Sequence, residues 1–102
     1  MFKYEAMYII KPTVEAEART ALIEKFSQVI TGNGGQVESV EELGMKKLAY
    51  EINYIAEGYY VLVNFSAKPE FLAELERVFG ITEGILRSIV VRKEEKKEKA
   101  EA

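Results

Sequence analysis

Two segments with helical apolar spacing lie between longer stretches of β-type sequence, and this order constrains the fold more than any other feature of the chain. The first helical stripe consists of Ala18, Leu22, Phe26, Val29 and Ile30. The second consists of Phe71, Leu72, Leu75, Val78 and Phe79. Because side chains that recur every three or four residues share one side of a helix, each segment is predicted to be a helix with one buried face.

Four extended stretches surround these helices. They are predicted over residues 2–11, 36–52, 59–65 and 85–92, which either alternate apolar and polar side chains or are rich in β-prone residues. Thr13 is predicted to cap the first helix, and Pro69 to occupy the first position of the second. Gly44 lies in the middle of an unusually long second strand and is predicted to form a bulge or a bend.

The predicted order is strand, helix, strand, strand, helix, strand. Two strand–helix–strand units with right-handed crossovers place both helices on one face of a four-stranded antiparallel sheet. The expected fold is therefore an α+β ferredoxin-like sandwich, with the first and third strands central and the second and fourth at the edges. Residues 1–93 are expected to form this single domain. The charged residues 94–102 have no apolar stripe and are expected to form a mobile tail.

The composition argues against an enzyme. The 102 residues include no Cys and no His, and all 17 acidic residues are Glu. The commonest general base, the thiolate nucleophile and the usual ligands of zinc are therefore missing, so neither catalysis nor a bound metal or cofactor is expected. The longest apolar run, residues 6–10, is far shorter than the ~20 residues that cross a bilayer. With no export signal visible, a cytoplasmic protein without a membrane partner is expected.

Two adjacent lysines, Lys46 and Lys47, interrupt the apolar pattern of the second strand. Lysines on an edge strand deter association between sheets, which is one explanation for the pair. The other explanation is contact with RNA phosphates, to which lysine brings a mobile point charge. A net charge of −3 disfavours a general nucleic-acid binder. Phosphate binding, however, requires only a local cluster of positive charge, so the pattern alone leaves both explanations open.

The predicted sheet leaves one face without a covering layer. If Ala6, Tyr8 and Val63 face the helices, the residues that face outward are Met7, Ile9, Tyr60, Leu62, Ile89 and Val91. An apolar patch of this size is typical of a protein interface. The alternative is a wrong assignment of the two faces, because continuous apolar runs carry little periodicity.

Two other functions are compatible with this topology. In the third strand, EGYYVLVNF, the RNA-recognition motif would require a basic residue at Glu57, a small residue at Tyr60 and an aromatic residue at Val61. These departures disfavour base stacking on the sheet. The second alternative is a ferredoxin-like regulatory module that oligomerises through its sheet and binds a small metabolite.

The stretch GMKKLAYEIN, residues 44–53, resembles the signature of the bacterial small-subunit ribosomal protein S-six family. The similarity extends to KYE at residues 3–5, EELG at 41–44, EGYYVL at 57–62 and LRSIVVRK at 86–93. The resemblance implies a ribosomal protein that binds the central domain of small-subunit rRNA together with the eighteenth small-subunit ribosomal protein. It also implies that the chain has no catalytic role and no small-molecule substrate.

The resemblance carries over to individual residues. It implies RNA-binding roles for Lys3, Lys46, Lys47, Arg87 and Arg92. Tyr4 and Tyr50 also match family positions. Both are predicted to lie on the core face of the sheet, which favours structural roles for them over base stacking.

Overall fold

The computed structural model describes residues 2–52 and 54–93. Its elements are β1 (Phe2–Ile10), α1 (Ala16–Gly32), β2 (Gln36–Ile52), β3 (Ile55–Ala67), α2 (Phe71–Ile81) and β4 (Ile85–Arg92). The tail predicted to be mobile, residues 94–102, lies outside the described residues.

The four strands form one antiparallel sheet in the order β2-β3-β1-β4. The central strands are therefore β1 and β3, and the edges are β2 and β4, which confirms the predicted ferredoxin-like arrangement. Ala6 on β1 pairs with Val63 on β3 and with Val90 on β4. This register aligns the apolar residues of three strands on the face that the helices cover.

The core lies between this face and the two helices. Three aromatic rings meet at its centre: Tyr8 from β1, Phe26 from α1 and Phe79 from α2, with ring centroids 4.6 Å apart for Phe26 and Phe79 and 5.0 Å apart for Tyr8 and Phe26. Burial of each such side chain contributes about 1.5–3 kcal/mol. Each helix is therefore fixed to the sheet through the same central cluster.

The helices begin and pack slightly differently from the prediction. Thr13 does not cap α1, because the chain turns at residues 12 and 13 and the N-cap position falls to Glu15. On α1 the buried residues are Ile23, Phe26 and Ile30, whereas Ala18 is exposed. Phe26 and Ile30 are buried as predicted, and Leu22 and Val29 pack against the core. Within the stripe, only the prediction for Ala18 is wrong, and Ile23 is buried in addition, since helical spacing alone does not decide which of two adjacent apolar residues points inward.

The remaining elements agree closely with the prediction. Strands β2 and β4 have the predicted bounds, while β3 begins at Ile55 rather than Tyr59 because its first residues pair with the end of β2. Pro69 precedes the N-cap of α2, Glu70, instead of lying inside the helix. The predicted bulge at Gly44 is confirmed by a register shift between Glu42 and Gly44, and its φ of +94° is one that glycine adopts without strain.

Candidate nucleic-acid and protein interface

The sheet face opposite the helices, called the open face below, is built from rows of residues that cross all four strands. One row consists of Gly44, Tyr60, Ile9 and Arg87. The next consists of Glu41, Leu62, Met7 and Ile89. The third consists of Ser39, Asn64, Glu5 and Val91. The open face therefore changes from aromatic and cationic at one end, through an apolar middle, to polar at the other end.

The register places all six residues of the predicted partner surface on the open face, but they are not equally accessible. Ile89 is 58% exposed, Val91 is also exposed, and Met7, Tyr60 and Leu62 are half-buried. Ile9 is only 8% exposed. The prediction that Ile9 belongs to an accessible patch is therefore wrong, and the reason lies in the end of the β2–β3 hairpin.

Residues 48–52, called the hairpin arm below, fold over the open face. The pairing of β2 with β3 shifts between Lys47 and Ile52, so residues 48–51 have no ladder partner on β3. A cavity of about 130 Å³ is lined by Leu48, Ala49, Tyr50 and Ile52 from the arm and by Ile9, Tyr60 and Arg87 from the open face. The arm therefore covers Ile9 and one end of the sheet.

A hydrogen bond holds the arm to the opposite edge of the sheet. Nη1 of Arg87 donates to the hydroxyl oxygen of Tyr50 at 2.7 Å, and the guanidinium carbon lies 5.5 Å from the centroid of the tyrosine ring. Tyr50 is 61% exposed. Its predicted position on the core face is therefore wrong, because the bulge between Glu42 and Gly44 shifts the alternation by one residue and places Lys46, and with it Tyr50, on the open face.

The lysine pair lies at the base of the arm. Lys46 is paired with Gly58 and Lys47 with Glu57, so the two side chains leave opposite sides of the strand. Both are exposed, and neither forms an ion pair with a carboxylate of residues 2–52 or 54–93. Lys46 is on the same side of the sheet as Arg87.

The other predicted cations have local partners. Lys3 lies 3.8 Å from Glu38 Oε2, which also accepts a 2.7 Å hydrogen bond from Ser66. Arg92 is opposite Tyr4 on the helix side of the sheet, where its guanidinium stacks 3.9 Å above the ring of Phe2. The structure thus brings Lys3, Lys46 and Arg87 to the open face, while Lys47 and Arg92 lie on the other side.

Lys93 is a further cation on the open face that was not among the predicted RNA-binding residues. Lys93 follows the last strand, and its Nζ donates to Asn64 Oδ1 at 2.9 Å. Its backbone N–H donates to the carbonyl oxygen of Lys3 at 2.9 Å, which fixes its position beside β1. The sequence signal was available, because the alternation of β4 extended by one residue places Lys93 on the same side as Val91.

A polar network on the helix side of the sheet was also missed. The Tyr59 hydroxyl donates to Glu42 Oε1 at 2.8 Å, and the Arg19 guanidinium lies 4.0 Å above the Tyr59 ring. This hydrogen bond to Glu42, followed by burial, raises the pKa of Tyr59. Burial, with a smaller contribution from Glu42, raises the pKa of Tyr8 as well. The network connects α1, β2 and β3 but carries no unpaired reactive group, so its role is structural.

Within residues 2–52 and 54–93, no group of three or more acidic side chains is arranged to hold a metal ion. Among the same residues, no helix is long and apolar enough to cross a membrane. What the described surface offers is positive charge around the hairpin arm and an adjoining apolar sheet face.

Comparison with known proteins gives a consistent result. The family model for Ribosomal protein S6 matches residues 3–92. Small ribosomal subunit protein bS6 of Clostridium perfringens is 52% identical over 95 residues, which cover 93% of this chain and 100% of the relative. Its counterpart in Clostridium novyi is 53% identical over 94 residues, covering 92% and 99%. The crystal structure of 30S ribosomal protein S6 from Thermotoga maritima superposes with a TM-score of 0.90 at 36% identity, covering 99% of this chain and 98% of that one.

Proposed function

The chain belongs to the ribosomal protein S6 family of the small ribosomal subunit, and from that premise we propose that it binds the central domain of small-subunit rRNA together with the eighteenth small-subunit ribosomal protein. Its role is that of a structural ribosomal protein and not of an enzyme. Family membership favours this function over the metabolite-binding module.

The observation that carries the RNA-binding proposal is the unneutralised positive charge around the hairpin arm. Lys46 and Lys47 are exposed without a described carboxylate partner. Arg87 is bonded to a neutral phenol, so its full charge remains available. These three cations can neutralise phosphates although the whole chain carries a charge of −3.

The same argument ranks the predicted RNA-binding residues. Lys3 is paired with Glu38, so a phosphate would have to compete with that carboxylate. Arg92 stacks on Phe2 and lies opposite Tyr4, at the far end of β4 from Arg87 and the hairpin arm. We therefore assign the principal phosphate contacts to Lys46, Lys47 and Arg87, and supporting contacts to Lys3 and Arg92.

The protein partner is proposed to bind the apolar middle of the open face. Leu62, Met7 and Ile89 form a continuous row there. Glu41 lies at one end of this row, and Glu5 lies beside it in the next row. An apolar centre with an acidic rim suits a basic partner, because the apolar contacts supply affinity and the opposite charges guide association.

Cooperative binding tests this proposal. A fluorescent transcript of the central domain of small-subunit rRNA is titrated with the chain, with the eighteenth small-subunit protein, and with both. We expect each protein to lower the Kd of the other by roughly tenfold or more, within the usual range of coupling between sites. Equal affinities in the presence and absence of the partner would contradict the proposal.

A further inference from the structure

We infer that Tyr50 is a positioning residue for RNA binding, which fixes the Arg87 guanidinium and shares with it the binding of one backbone phosphate. This inference rests on the proposed function and extends it to a residue that is neither charged nor part of the lysine pair. It starts from the hydrogen bond between the two side chains, which come from strands at opposite edges of the sheet.

Arg87 and Tyr50 together carry hydrogen-bond donors that could bind the same phosphate group. A guanidinium has five N–H groups, and the bond to Tyr50 uses one on Nη1. The Tyr50 oxygen accepts that hydrogen bond and keeps its own O–H as a donor. The pair therefore presents further N–H groups and one O–H, whereas a phosphodiester presents only acceptors. Arginine matches such oxygens with two parallel hydrogen bonds, provided that its orientation is fixed.

The structure also shows what fixes that orientation. Arg87 is in the same cross-strand row as Ile9 and Tyr60, and these three residues line the cavity beneath the hairpin arm. Tyr50 approaches Arg87 from the arm. With the arm closed on Ile9, the rotamers of the long arginine side chain are restricted before RNA arrives, so less conformational entropy is lost on binding.

The arm also connects cations that belong to the two edge strands of the sheet. Lys46 and Lys47 precede the arm on β2, whereas Arg87 belongs to β4 at the far edge of the sheet. The Tyr50 contact spans β3 and β1 to connect them. A phosphate backbone that follows this end of the open face would thus meet Arg87 and Lys46 on a single surface.

A competing explanation makes the opposite prediction. If the hydrogen bond to Tyr50 merely competes with RNA phosphates for Arg87, removal of the phenolic oxygen should lower the Kd for RNA. If Tyr50 only supports the fold, its removal should act independently of Arg87. The sign of the effect and its dependence on Arg87 separate these explanations from positioning.

The experiment compares Tyr50→Phe, Arg87→Ala and the double variant, in complex with the eighteenth small-subunit protein and a central-domain transcript. Tyr54→Phe is the matched control, since Tyr54 follows the arm in the same hairpin, is 95% exposed and makes no side-chain hydrogen bond to a described residue. We expect Tyr50→Phe to raise the Kd roughly tenfold, as for the loss of a hydrogen bond to a charged group. Its salt dependence should not change, because no charge is removed.

Arg87→Ala should raise the Kd and flatten the slope of log K against log salt by about 0.7. Added to Arg87→Ala, Tyr50→Phe should raise the Kd clearly less than it does in the parent chain, because only the contact of its own O–H with the phosphate remains to be lost. Tyr54→Phe should bind like the parent chain. Unchanged or tighter binding by Tyr50→Phe would overturn the inference, as would a full tenfold loss that persists without Arg87. Failure of the parent chain to bind the transcript would overturn the proposed function as well, so the two failures are distinguishable.

Discussion

Gly58 lies directly against Ile9, the residue of the open face that the hairpin arm covers. A β-carbon at position 58 would overlap Cγ2 of Ile9 and lie 3.2 Å from the carbonyl oxygen of Ile10. Gly58 is also the residue opposite Lys46 in the β2–β3 ladder. The absence of a side chain at this position therefore allows the part of β3 that pairs with the base of the arm to lie close to β1.

Gly58→Ala is expected to destabilise the protein by roughly 1–3 kcal/mol, the usual cost of overpacking a site whose neighbours cannot move freely. Urea unfolding measures the change. Gly80→Ala is the matched control, because a β-carbon there meets no atom within 4 Å and the position is helical. The control should be stabilised by up to about 1 kcal/mol. Equal effects of the two substitutions would contradict the close packing at Gly58.

A charge placed on the apolar row should disrupt the protein partner and leave the fold intact. Ile89→Glu is expected to weaken binding of the eighteenth small-subunit protein at least tenfold, because it introduces a carboxylate into the apolar row of the proposed interface. Ile81→Glu is the control, since Ile81 is 66% exposed at the end of α2, on the opposite side of the sheet. Calorimetric titration measures both affinities. Unchanged partner affinity of the Ile89→Glu variant would show that the interface does not include the apolar row.

The buried tyrosine predicts a particular response to alkaline pH. The pKa values of Tyr8 and Tyr59 are both raised in the folded state, Tyr8 chiefly by burial and Tyr59 chiefly by its hydrogen bond to Glu42. An unfolded tyrosine ionises near a pKa of about 10. A pKa that is raised in the folded state stabilises the protein fully below the pKa of the unfolded tyrosine. This stabilisation is lost as the pH rises towards the pKa of the folded state. The free energy of unfolding should therefore fall above about pH 10.

Tyr8→Phe and Tyr59→Phe separate the two contributions. The Tyr8 hydroxyl is buried and has no hydrogen-bond partner among the described residues, so its removal should leave stability at pH 7 unchanged or raise it by about 1 kcal/mol. Tyr59→Phe should lower stability at pH 7 by roughly 0.5–1 kcal/mol through the lost bond to Glu42. Both variants should decline less steeply at alkaline pH. An alkaline decline of parental steepness in both would contradict the assigned causes.

The helix positions and the open face could be predicted because they depend on local periodicity and on turn residues. The strand order could be predicted because right-handed crossovers leave few ways to connect the elements. Gly44 is a good example: a glycine inside a long strand indicated a bulge, and the ladder shifts there. The family relationship could also be inferred from the sequence, since the basic pair and the Leu-Ala-Tyr motif occur together at residues 46–50.

The hairpin arm could not be predicted in the same way. Strict alternation through β2 placed Tyr50 on the core face, whereas the bulge between Glu42 and Gly44 shifts the alternation by one residue and puts Tyr50 on the same side as Arg87. Such a contact joins residues that are distant in sequence, and periodicity holds no information on it. The exposure of Ile9 was overestimated for the same reason, because the arm that covers it belongs to another strand.

The central claim is that Lys46 and Lys47 contact RNA phosphates, and the salt dependence of binding tests it most directly. The Kd of the complex with the central-domain transcript and the eighteenth small-subunit protein is measured over a range of salt concentrations. The Lys46→Ala/Lys47→Ala variant is compared with Lys25→Ala/Lys68→Ala, which removes the same charge from exposed positions away from the arm. At about 0.7 per phosphate contact, the first variant should flatten the slope by roughly 1.4, and the second should leave it unchanged. Equal slopes for both variants would contradict the claim and assign the lysine pair to protection of the sheet edge.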